Sequence, residues 1–97
     1  MAIVLMSEFE VQETVGTAAL RLVEALRDRP EGTVLALLDG RRSRAELSPR
    51  ERRCLRDFRQ ARDAARDAGL DWVVDEQVAG VREMVRAGVR ELVPTSA

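Results

Sequence analysis

The chain has no histidine, lysine, tyrosine or asparagine, a single cysteine, and only two phenylalanines and one tryptophan in 97 residues. Each absence closes a class of function. Without histidine the commonest general base and metal ligand is missing. One cysteine, Cys54, allows neither an internal disulfide nor a thiolate metal cluster. With so few aromatics, and none sharing a helix face with the arginines, the composition argues against a stacking platform for single-stranded nucleic acid. No apolar run approaches the length of a membrane span; the longest at the start, "MAIVLM", is also too short for a signal peptide and has no basic leader. The expectation is a cytoplasmic protein, with Met6 as an alternative start that would remove Met1–Leu5. The missing lysine and asparagine match the codon usage of a GC-rich bacterial genome.

What is present is a single small domain, 1–97, with 45% hydrophobic and 34% charged residues. All sixteen basic residues are arginine, and the formal net charge is −1. That balance gives no global attraction to nucleic acid or anionic lipid. Residues 2–6 are apolar and β-branched, which predicts a buried strand. Ser7 and Glu10 have capping-box spacing, and Val11, Val15, Ala18, Leu22 and Leu26 then recur every three or four residues, predicting an amphipathic helix to about Asp28. A rival reading makes "EFEVQETV" a second strand. "RPEG" breaks the chain. "TVLALLD" is uninterruptedly apolar, and its length and its Thr33–Val34 start favour a strand over a buried helix.

After the polar loop "GRRSRAEL", Ser48, Pro49 and Glu51 open a second long helix. It runs to Ala68, with Gly69 as its stop. Cys54, Phe58, Ala61 and Ala65, with Leu55 at the margin, form its apolar side. "LDWVVD" predicts another strand, and Asp75 the cap of a last helix with Val78, Val81, Val85, Val89 and Leu92 inward. Gly88 offers an earlier stop, with "VRELV" as an edge strand. The order strand, helix, strand, helix, strand, helix implies an α/β fold: a small, mainly parallel or mixed sheet of three to four strands under covering helices. The alternative is all-α, a helical bundle or a winged helix.

No catalytic constellation emerges. Asp71, Asp75 and Glu76 could approach a metal, but capping accounts for Asp75 more simply, and "DGRRSR" is neither a P-loop nor a dinucleotide fingerprint. The reading is non-enzymatic, with no cofactor. Cys54, on the apolar side, reads as packing. On a helical wheel Arg52, Arg56, Arg59, Arg62 and Arg66 share a flank that could follow a phosphate backbone. Asp63 interrupts it and allows surface pairs with Arg59 and Arg66, so a solvated face is the simpler reading.

Two resemblances sharpen these expectations. "LSPRERRCL", Leu47 to Leu55, resembles the start of LuxR-type and sigma-factor region 4 DNA-binding domains, which implies a helix-turn-helix using Arg52, Arg56, Arg59 and Arg66. From Gly16 to Val93 the pattern is similar to a STAS domain, the fold of bacterial anti-anti-sigma factors. "GTAALRLVEALRDRPEGTVLALLDG", "SPRERRCLRDFRQARDAARDAGLDWVV" and "VAGVREMVRAGVRELV" carry the likeness. Barstar-like inhibitors share a comparable alternation, which admits a small phage or immunity-type inhibitor. The STAS likeness implies a regulatory domain acting through protein contact, with a phosphorylatable serine at the start of the long helix. Ser48 falls there, although Leu47 and Arg50 replace the family's Asp and Gly. Ser43, Ser48 and Arg50 would then form the docking patch of a protein partner, with nucleic acid as the alternative partner.

Overall fold

The computed structural model describes residues 7–43 and 46–88, and within them α-helix is the only regular secondary structure. Four helices follow one another: α1 (Glu8–Ala25), α2 (Glu31–Leu38), α3 (Pro49–Asp67) and α4 (Asp71–Arg86). There is no strand among the described residues, so the α/β expectation is overturned. The all-α alternative describes the molecule. The expected strand at residues 2–6 and the residues of "VRELV" lie outside the described residues.

α1 forms as its spacing predicts. Ser7 accepts a hydrogen bond from the Glu10 N–H at its start, and Val11, Val15, Ala19, Leu22, Val23 and Leu26 turn one buried stripe inward. The rival strand over "EFEVQETV" is therefore also corrected. α3 begins with a complete capping box: Ser48 accepts from the Glu51 N–H at 3.2 Å, and the Glu51 carboxylate accepts from the Ser48 N–H at 2.8 Å. Leu55, Phe58 and Ala65 are its buried apolar residues.

The two corrections with the largest consequences are α2 and the start of α4. Val34, Leu37 and Leu38 are buried at helical spacing, and their run ends in a Schellman motif. There the Arg41 N–H bonds to the Ala36 carbonyl, the Gly40 N–H to Leu37, and Gly40 takes φ +79°. The expected second strand is thus a short helix whose remaining flank, Leu35 and Ala36, is half-buried. The same closure ends α3, with Leu70 N–H on Ala65, Gly69 N–H on Arg66 and φ +76° at Gly69. α4 then starts at once. Val73 and Val74 belong to the same buried face as Val78, Val81 and Val85, so "DWVVD" is the first turn and a half of a helix. Leu70 stands at its N-cap with no side-chain bond, and Asp75 lies inside it rather than capping it.

α3 runs antiparallel to α1. Arg50 of α3 meets Glu24 near the end of α1 at 3.7 Å, whereas Gln60 and Ala61 line the same groove as Glu13 and Thr14. α4 packs against all three other helices. It comes close to α1 at Gly16, where a Cβ would stand 2.6 Å from the Gln77 side-chain oxygen. Phe58, Leu22, Leu26, Val15, Val34, Val73, Val74 and Val85 are the largest fully buried side chains, drawn from all four helices and the α1 cap. Burial of such side chains contributes about 1.5–3 kcal/mol each, which outweighs the weak helix propensity of the valines.

Candidate functional site

The start of α3 joins three segments of the chain. Glu51, at 6% exposure the one buried charged residue described, receives the Arg29 guanidinium in a two-pronged pair: Nε to Oε2 and Nη2 to Oε1, both 2.9 Å. Arg29 Nη2 also donates to the Glu46 carbonyl. Glu51 thus ties the α1–α2 connection to the loop before α3. The Arg29 hydrogen bonds hold its carboxyl down to about 2, against the opposing effect of burial and with help from the Ser48 N–H. The guanidinium in turn is pushed above its ordinary range by the same contact.

Ser48 and Arg50 are exposed on this corner, so the structure brings two of the three expected docking residues together. Ser43 is half-buried in the loop before α3, separated from them in the chain by residues 44–47, of which 44 and 45 lie outside the described residues. The sheet that would have presented Ser48 as a STAS-type switch is absent among the described residues, and the segment before its loop is α2. The STAS likeness is corrected on that ground, because its defining central strand is a helix here.

Along α3 the expected basic flank divides in two. Arg52, Arg56 and Arg59, together with Arg53, are exposed, and none pairs with a carboxylate among the described residues. The second half is engaged. Arg62 is largely buried and holds Asp63 at 3.2 Å, and Arg66 reaches Asp71 at 3.8 Å. The expected pairing of Asp63 with Arg59 and Arg66 is replaced by this neighbouring contact. In the last helix Arg86 pairs with Glu83 at 3.5 Å, while Arg82 pairs with Asp39 of the α2 cap.

A helix-turn-helix does exist in connectivity, since Ala68–Gly69–Leu70 links α3 to α4. Its second helix, however, opens with exposed Asp71, Asp75 and Glu76, which repel phosphate where a recognition helix reads bases. The winged-helix variant has no wing among the described residues. Cys54 is half-buried at the rim of a groove of about 680 Å³ between α1 and α3, with Thr14, Thr17, Ala18 and Ala61 beside it. Among the described residues no group of three acidic or cysteine side chains is placed to hold a metal ion, and no helix is long and apolar enough to cross a membrane.

The Arg29–Glu51 and Asp39–Arg82 pairs escape a reading of the sequence, because their partners are far apart in the chain and each lies next to a nearer residue of opposite charge. The only signal was Glu51 at the third position of the capping box, which marks a carboxylate turned back toward the loop.

Among the described residues, fold and site together define an all-α arrangement of four helices with an arginine face that no carboxylate pairs. No family model, curated protein or solved structure matches the chain.

Proposed function

We propose that this chain is a non-enzymatic binding module that docks the first three turns of α3 onto an acidic surface of a protein partner. The carrying observation is the set Arg52, Arg53, Arg56 and Arg59, exposed and without carboxylate partners among the described residues, although the chain holds seventeen acidic residues. At 1.5 Å rise per residue these four guanidinium groups crowd into about 11 Å of helix. Their mutual repulsion is relieved by an acidic partner. Arginine is enriched at protein interfaces and forks onto carboxylates in pairs. Arg50 and Ser48 extend the patch at its N-terminal edge. A phosphate on Ser48 would bring about −1.5 to −2 charges into it and cancel much of its attraction, which makes Ser48 the position through which this docking is switched.

The second reading, binding to a nucleic-acid backbone, uses the same arginines and is favoured by the α3–turn–α4 connection. It is weakened by the acidic start of α4, which leaves phosphate contact without base readout.

The test is recovery of partners from lysate of the source cells on the immobilised chain, compared with the triple variant R52Q/R56Q/R59Q and with Ser48→Asp and Ser48→Ala. Recovery of a salt-sensitive acidic partner that falls at least about tenfold in the triple variant and in Ser48→Asp, but not in Ser48→Ala, is the expected result. Equal recovery in the wild type and the triple variant overturns the docking face. Retardation of duplex DNA by the wild type, with a log–log salt slope of about −3 lost in the triple variant, replaces it with the second reading.

A further inference from the structure

The arginine face of α3 has a chemical counterpart on the same chain. Trp72, the only tryptophan, stands in the first turn of α4 with 47% of its surface exposed. Asp75 and Glu76 follow it by three and four residues, a spacing that sets both carboxylates beside the indole on one helix flank. Both are exposed, and neither pairs with an arginine among the described residues.

The two patches lie at opposite ends of α3. Contact of Asp71 with Arg66 holds the start of α4 at the last turns of α3, whereas Arg52, Arg56 and Arg59 occupy its first three turns. The start of α1 is at the acidic end too, because Glu13 and Thr14 share a groove with Gln60 and Ala61. It adds a second bare ring, Phe9, 66% exposed between Glu8 and Glu10. From Arg56 to Arg66 the helix rises about 15 Å, which keeps the patches apart within one molecule. Two molecules can bring them together.

We propose that the partner of the α3 arginine face is a second copy of this chain, which offers the Trp72 corner of α4. The inference rests on the docking reading of α3 and names the acidic surface that it takes. Guanidinium groups suit this corner on two counts. They fork onto carboxylates, here Asp75 and Glu76, and they stack on the face of an indole. Tryptophan and arginine are also the side chains that most often dominate binding at protein interfaces. Because the joined patches are unlike, the contact runs head to tail. A patch this small gives a weak, salt-sensitive association, with a Kd on the order of 0.1 mM.

The experiment is sedimentation equilibrium of the full chain at low and high salt, with Trp72 fluorescence followed over the same concentrations. Association is expected in low salt, with emission moving to shorter wavelength as the indole is covered, and both effects disappear in high salt. R52Q/R56Q/R59Q and D75N/E76Q each weaken association at least about tenfold. Glu31→Gln, which removes a negative charge close to the Arg29–Glu51 pair at the arginine end, does not weaken it. Mixing the two weakened variants restores a one-to-one complex, because one keeps the acidic corner and the other the arginine face. A wild type that stays monomeric up to about 1 mM overturns the self-contact, while the docking face itself stands or falls by recovery of lysate partners. Association that survives either multiple variant, or a mixture that stays monomeric, also overturns it.

Discussion

At Glu51 three hydrogen bonds converge on a carboxylate that water scarcely reaches. Its titration must therefore couple to folding. The unfolded chain takes up a proton near the ordinary carboxylate value of 4.5 and the folded one only near 2. The contribution of Glu51 is complete above pH 4.5 and is lost as pH falls toward 2. Glu51→Gln separates the two roles of this side chain. Glutamine still closes a capping box but carries no charge for Arg29. A loss of about 2 kcal/mol is expected at pH 7, with the gap to wild type closing in urea unfolding as pH approaches 2. A gap that stays constant with pH would show that the ion pair contributes nothing. At Ser48 the alanine variant loses the N-cap acceptor, for about 1 kcal/mol, while aspartate is itself a good cap and changes stability little. Any loss of partner binding in Ser48→Asp then reports charge rather than a frayed helix.

At the scale of the helices, what the sequence disclosed depended on which signals could be read in only one way. α1 and α3 were legible because each combines a serine cap, a carboxylate three residues on and a long apolar stripe. α2 and the first turn of α4 were not. "TVLALL" is apolar at every position except its first, so it fits a buried strand and a helix buried on most sides equally well, and "WVV" carries β propensity that tertiary burial overrode. The deciding mark was the glycine after each run, read for α3 as a helix stop but for "LLDG" as the end of a strand. Similarly, the exposure of Arg52, Arg56 and Arg59 followed from the wheel, but the pairing of Arg82 with Asp39 needed α2 to be a helix that ends against α4. These glycines can be tested directly. Gly69→Ala forces a side chain into a left-handed backbone with open space around it, and about 1 kcal/mol of destabilisation is expected. Gly40→Ala has the same backbone strain and also crowds Arg62, so its loss in chemical denaturation should be the larger. Equal losses would mean that Arg62 gives way freely.

For the molecule as a whole, a net charge of −1 conceals an uneven distribution: Arg52, Arg53, Arg56 and Arg59 of α3, without carboxylate partners among the described residues, and Asp71, Asp75 and Glu76 at the start of α4. Evenly paired surface charge contributes little to stability either way. Like charges gathered on one helix oppose folding, most strongly at low ionic strength, where screening is least. The docking reading therefore carries a consequence that needs no partner. If Arg52, Arg56 and Arg59 serve binding, replacing all three by glutamine, a comparably good helix former, removes repulsion and no contact, so the variant should be as stable as wild type or up to about 0.5 kcal/mol more stable in low salt. That gain should shrink as salt is added and the remaining repulsion is screened. Phe58→Ala, which empties the centre of the core, provides the contrast with an expected loss of about 3–5 kcal/mol independent of salt. Thermal unfolding of both variants at low and high ionic strength makes the comparison. A triple variant that is clearly less stable than wild type would show that these arginines hold the fold together, and the outward face of α3 would then have no call on a partner.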